Sequence, residues 1–338
     1  MARSLTTLGI SVILSAATSL STAKEFSWSQ QHDIIGEKRV VTTKYEDTLS
    51  DLGESNNIGF NEIVTANPGV DAWLPGEGNK VIVPSEYILP SIREGVVINL
   101  HEYRLYYFPK EGGKVITYPV GIGTQKTPSP LVETTVELKL EKPNWYPPAS
   151  VRAEYLKENG KEMARMFPPG PENPLGPYAI KLDLPGYFLH GTNKAFGIGT
   201  KVSHGCIRLY NDDISKLVFQ VPNKTPVRFI KEPIKLGMKG DNLYVELHLD
   251  DADNISDKKM VQKVIQQTIR LEKRLGAIDL DIYAIENAIK NPLGIPQHIG
   301  VKASTISNAN NVVAQKKAGN KKADVIAVSP LSTPDTIN

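Results

Sequence analysis

The order of apolar and polar positions divides the chain into stretches of different period. Between residues 39 and 84, the β-prone run Val40-Val41-Thr42-Thr43-Lys44-Tyr45 precedes a short helix over 48–52 with Asp47 as its cap. A second helix at 60–66 and a closing strand at Val81-Ile82-Val83 follow, with turns at Asn67-Pro68-Gly69 and Leu74-Pro75-Gly76. Apolar runs then recur at residues 96–100, 105–108, 115–120 and 135–140, with Glu111-Gly112-Gly113 as a hairpin turn. Short strands joined by glycine turns predict a predominantly β domain, a sandwich or barrel-like sheet. Tyr187-Phe188-Leu189 reads as a further strand ending at His190, with Gly191-Thr192 as the turn after it. Asn211-Asp212-Asp213 can cap a helix through Phe219, and Val227-Arg228-Phe229-Ile230 closes the core.

Beyond the core, residues 243–247 form a strand, and residues 256–275 place Val261, Val264, Ile265, Ile269 and Leu275 roughly on one stripe of a helix. Another helix at 281–291 stops at Pro292, so residues 232–301 are expected to form a small, mostly helical C-terminal appendage. Two proline-rich stretches, 144–150 and 166–176, suit long loops at a cleft rim, because proline denies backbone donors to a sheet. From Ala303 onward the chain is rich in Asn, Ala, Ser, Lys and Pro without periodicity, and a disordered tail at 302–338 is expected.

Composition adds compartment. Lys and Arg number 39 against 37 Asp and Glu, a net charge of +2, so nothing in the charge balance calls for nucleic acid. Arg3, an apolar stretch over 8–20 and the small residues Ser21-Thr22-Ala23 read as an export signal at 1–23, too short to span a bilayer. No later segment is apolar enough to span one. The expected location is the periplasm or cell envelope. A single cysteine, Cys206, is unusual for a chain sent to an oxidising space, and makes more sense as a working thiol than as filler.

A thiol is a strong nucleophile only as thiolate, so it needs a base nearby. His204 lies two residues before Cys206, and His190 lies 16 before it (206 − 190). His190, fixed at a strand end opposite a loop thiol, is the preferred base. Zinc is disfavoured, because one cysteine and no finger-like spacing leave too few ligands.

The stretch His190-Gly191-Thr192, followed by Ser203-His204-Gly205-Cys206-Ile207-Arg208-Leu209, resembles the signature of the L,D-transpeptidases with the YkuD-type catalytic domain, cysteine enzymes that remodel peptidoglycan. The resemblance implies a YkuD-type β catalytic domain over 93–231, with Cys206 as acyl-accepting nucleophile and His190 as its base, oriented by the main-chain carbonyl of Gly191. It makes the amides around His204, Gly205 and Cys206 the oxyanion hole, lets His204 shape the loop and contact substrate, and puts Ser203 among the substrate-binding residues. Arg208 could take a substrate carboxylate or hold the loop by a salt bridge. Trp145 and Tyr178, in segments similar to those of envelope-anchoring members, could line the peptide groove or pack inside the loop. No metal or organic cofactor is required. The implied reaction expels D-Ala from a tetrapeptide stem and passes the acyl group to another stem, forming a crosslink, or to a lipoprotein lysine, tethering that protein to the wall. The alternatives are an L,D-carboxypeptidase, with water as acceptor, and a wall-binding protein without catalysis.

Residues 39–85 resemble a LysM module through Asp47-Thr48-Leu49, Asn67-Pro68-Gly69, Leu74-Pro75-Gly76 and Val81-Ile82-Val83-Pro84, departing at Glu46 and Gly53. Such a module binds glycan or serves as a packing subdomain. Where the family shows Thr-Pro followed soon by Gly, this chain has Thr127-Pro128-Ser129-Pro130-Leu131, so the turn near the cleft is expected to differ, without bearing on the assignment of Cys206 as nucleophile.

Overall fold

The computed structural model describes residues 24–29, 32–250 and 255–303. The export signal read at 1–23, and the tail apart from its first two residues, lie outside the described residues.

The N-terminal part runs β1 (Lys24–Ser27), β2 (Ile34–Gly36), β3 (Arg39–Thr42), α1 (Leu49–Ser55), α2 (Phe60–Ala66), β4 (Lys80–Val83) and β5 (Glu86–Ile88), with β3 antiparallel to β4 and β2 to β5. The strand, helix, helix, strand order of the hydrophobic pattern is present. The cap of α1 is Thr48 and not Asp47: the Thr48 hydroxyl accepts the Asp51 N–H at 3.0 Å, the donor three positions into the helix that needs a partner. Asp47 instead accepts the Lys44 N–H at 2.7 Å in the preceding turn.

The central part comprises β6 (Gly95–Asn99), β7 (Arg104–Phe108), β8 (Lys114–Pro119), β9 (Ile122–Gly123), β10 (Glu133–Glu141), α3 (Ala149–Asn159), β11 (Tyr178–Leu182), β12 (Phe188–His190), β13 (Lys201–Ser203), β14 (Ile207–Arg208), α4 (Asn211–Gln220) and β15 (Pro226–Ile230). One mixed nine-stranded sheet has the order β1-β8-β7-β6-β15-β10-β11-β12-β14, and β9 pairs with β13 beside it. Strands β6 to β8 are covered on both faces, which is why they read as nearly continuous apolar runs. Val96, Ile98, Leu105, Tyr107, Ile116 and Tyr118 share a core with Ile214, Leu217 and Val218 of α4. From the other face, Val97, Tyr106, Phe108 and Val115 join Leu49, Ile58, Ile63, Val81 and Val83 of the N-terminal part.

Buried polar contacts reinforce that junction. Arg104 reaches across from β7 to hold Glu62 of α2 in a fork, at 2.7 and 2.9 Å, and Glu62 also accepts the Gly59 N–H at 2.7 Å. Asn57 donates to Asp213 of α4 at 2.6 Å, and the Phe60 N–H donates to the Ile198 carbonyl at 3.0 Å.

The C-terminal part consists of β16 (Ile234–Lys239), β17 (Asn242–Leu247), α5 (Asp257–Leu275), β18 (Ile278–Leu280), α6 (Ile282–Lys290) and β19 (Gln297–Lys302). Its sheet has the order β16-β17-β19-β18, and Met260, Val264, Ile285, Ala288 and Ile289 of the helices pack on Leu243, Val245, Leu247 and Ile299. It is therefore an α/β subdomain rather than mostly helical. The short runs that become β18 and β19 carry too little alternation to announce themselves, and extend by pairing with each other and with β17. Lys235 lies 2.8 Å from carboxylate oxygens of both Glu102 and Glu246, and His248 Nε2 lies 2.7 Å from Glu246. Glu102, Glu246 and His248 are a ligand set a metal could use, but the cation they surround is the Lys235 ammonium. Among the described residues, no helix is long and apolar enough to cross a membrane.

Candidate active site

Cys206 lies in the connection between β13 and β14, half-buried, and its Sγ donates to the Gly186 carbonyl at 3.4 Å. Strand β14 runs parallel to β12 with Leu189 opposite Ile207 and His190 opposite Arg208. Because side chains alternate along a strand, this register turns His190 and Arg208 to one face, and Cys206 stands two residues before Arg208, just ahead of the strand. His190 is buried, and its Nδ1 lies 2.6 Å from the Gly191 carbonyl. An N–H donated there leaves the lone pair on Nε2. The hydrogen bonds of the two groups are separate.

The electrostatics keep both groups neutral at rest. Burial, and then the Arg208 guanidinium, lower the His190 pKa to about 4 against the opposing pull of the Gly191 and Pro174 carbonyls. Burial pushes the Cys206 thiol up, while the Phe188 N–H and Arg208 pull it down. Arg208 is itself lowered by burial, its Nε is buried without a partner, and it forms no ion pair among the described residues.

The loop around the thiol is fastened from two sides. Ser203 Oγ accepts the Gly205 N–H at 3.1 Å and donates to the Cys206 carbonyl at 2.5 Å. The Gly205 amide is thus engaged, while those of His204 and Cys206 have no acceptor among the described residues. Buried Ser129 donates to the Gly205 carbonyl at 2.9 Å while accepting the Gly123 N–H at 2.9 Å. In a planar trans peptide the C=O and the following N–H point opposite ways, so Ser129 sets the direction of the Cys206 N–H. Thr127 Oγ1 and the Thr124 N–H both donate to the Ser203 carbonyl, at 3.2 and 3.0 Å. Thr127 and Ser129 of the Thr127–Pro130 turn therefore fasten the loop that carries Cys206. Gly205 has φ +107°, and a Cβ there would lie 3.1 Å from the Tyr187 ring, so no other residue fits without strain.

Asn211, read as a helix cap, does something else. Its side chain accepts the Thr192 N–H at 2.8 Å and donates to the Thr192 carbonyl at 2.9 Å, pinning the turn that follows His190. A Cβ on Gly191 would lie 2.4 Å from Asn211 Oδ1, which explains the glycine there. His204 is exposed, and its Nε2 lies 2.6 Å from Glu154 of α3, a residue and a helix that the hydrophobic pattern does not reveal. The Trp145 ring packs on Phe167 at 5.3 Å and Tyr178 on Phe219 of α4 at 5.5 Å, and both rings stay half-buried.

Comparison with known proteins bears on the same residues. The YkuD family, described as the L,D-transpeptidase catalytic domain, matches residues 93–229. The chain is 38% identical over 270 residues to "Probable L,D-transpeptidase YbiS" of Escherichia coli, spanning 78% of this chain and 87% of that protein. It is 41% identical over 249 residues to "Probable L,D-transpeptidase ErfK/SrfK" of Salmonella typhimurium, spanning 71% and 79%. Over 231 residues it is 41% identical to "Probable L,D-transpeptidase YcfS" of Escherichia coli, spanning 66% and 72%.

Proposed function

Because the chain belongs to the L,D-transpeptidase family with the YkuD catalytic domain, we propose that it is a cell-envelope acyltransferase working on peptidoglycan stem peptides through a Cys206 acyl-enzyme. The observation that carries this reading is the register that turns His190 and Arg208 to one face, two residues along the chain from the Cys206 thiol, with the His190 ring fixed on the Gly191 carbonyl at 2.6 Å.

The reaction requires the Cys206 side chain to leave the Gly186 carbonyl and bring Sγ to the imidazole. As sulfur attacks the carbonyl of the third stem residue, the thiol proton passes to His190 Nε2, and the oxyanion is received by the amides of Cys206 and His204. Collapse breaks the amide bond, and the departing D-Ala amine takes the proton from the imidazolium. An acceptor amine then attacks the thioester, gives its proton to His190 and frees the thiol. No step calls for a metal or organic cofactor. Since the resting pair is neutral, proton transfer accompanies attack instead of preceding it. Arg208 holds a stem carboxylate near the reacting carbonyl through its forked donors.

The acceptor is a second stem or the terminal amine of a wall-anchored lipoprotein. Intact mass of the purified chain after incubation with a carbapenem and with tetrapeptide muropeptides tests the nucleophile. A covalent adduct on Cys206, absent in Cys206→Ala, is expected. No adduct on the intact chain would overturn the reading, and products limited to tripeptide would replace transfer with hydrolysis.

A further inference from the structure

Helix α3 buries none of its residues. It belongs to a proline-bounded arm between β10 and β11, entered through Pro147-Pro148 and left through Gly160 at φ +66°. The root of the arm is fixed: the Trp145 and Phe167 main chains exchange hydrogen bonds at 2.9 and 2.8 Å, and Asn173 Nδ2 donates to the Pro143 carbonyl at 2.8 Å. Further out, the half-buried positions are Val151, Arg152, Glu154 and Tyr155, one face of the first half of the helix. From that face Glu154 Oε2 meets His204 Nε2 at 2.6 Å, with Lys126 also near the carboxylate. The arm is thereby pinned to the nucleophile loop two residues from the thiol. Tyr146, Leu156 and Met166 on the same arm remain exposed, apolar surface that packing within the chain leaves unused.

We infer that Glu154 is a positioning residue for the acyl donor: through His204 it holds α3 beside the nucleophile loop, so that the donor peptide is gripped between the arm and the thiol. This rests on Cys206 being the nucleophile. Both partners are more than two-fifths exposed, and an exposed contact of this kind biases an equilibrium by only about two- to fivefold, enough to favour the closed arm on a bound donor and little enough for the arm to open as a polymeric donor enters.

The test uses the full chain with Glu154→Ala and Glu154→Gln, the latter still able to accept a hydrogen bond from His204. In Glu154→Ala, KM for a donor tetrapeptide should rise about two- to fivefold with little change in kcat, and iodoacetamide should alkylate Cys206 faster by a similar factor. Glu154→Gln should fall between wild type and Glu154→Ala, and it decides alone if the alanine variant loses its fold by thermal melting. Wild-type KM and alkylation rate in these variants would overturn the inference, as would a loss confined to kcat, which would put Glu154 in the chemistry and not in the grip. Alkylation needs no transpeptidase turnover, so a chain that formed no acyl-enzyme would refute the proposed function while the labelling still judged the latch.

Discussion

Burial and the Arg208 guanidinium act on His190 in the same direction, and the neutral ring that results stays able to accept a proton well below neutral pH. The active form is the unprotonated base, so a lowered pKa extends activity toward acid. The acid limb of kcat/KM is expected near pH 4, where an unperturbed imidazole would place it near pH 6.5. Arg208→Ala should move that limb upward, because a like charge is removed from beside the ring. A pH-rate profile on a minimal stem peptide measures both. Ser129→Ala releases the Gly205 carbonyl and with it the direction of the Cys206 N–H. A fall of about tenfold in kcat with KM nearly unchanged is expected, less than the full loss of an oxyanion donor. Cys206 and His190 draw attention in the sequence because a lone thiol and a strand-end imidazole are conspicuous as residue types. Ser129, Asn211 and Glu154 are not, since their partners stand 76, 19 and 50 residues away and no local pattern announces such a contact.

Elements built on hydrophobic period were readable where one face meets a core. Helix α2 falls on the residues its pattern indicates, and β6 to β8 lie within a residue of theirs. Helix α3 was not legible, because without a buried face there is no apolar stripe to count. At the start of α4, burial pushes the Asp213 carboxyl up to about 7, with the Asn57 hydrogen bond opposing it. A raised carboxyl contributes stability that is full below its unfolded pKa, near 3.9, and is lost as pH rises through about 7. Asp213→Asn, which can still accept from Asn57, should therefore be at least as stable as wild type above pH 7 and should flatten the fall of Tm between pH 4 and 7. Arg104→Met leaves the buried Glu62 carboxylate without its cation, and urea unfolding should show a loss of about 3–5 kcal/mol.

At the scale of the whole molecule, the N-terminal part completes the covering of one face of the sheet. A truncated chain lacking residues 24–88 would expose Val97, Tyr106, Phe108 and Val115 to water, and it should aggregate or melt far below the full chain. Soluble, active protein from that truncation would show instead that the part is a dispensable appendage. The sequence by itself determined the β-rich class, the strand-helix-helix-strand order of the N-terminal part and the residue types suited to thiol chemistry, because period and functional groups are local properties of the chain. Tertiary structure alone decided that two cores share one sheet, which serine orients the Cys206 amide, and which carboxylate meets His204. Those outcomes depend on segments far apart in the chain arriving at the same place, and the spacing of residues along a sequence carries no record of that meeting.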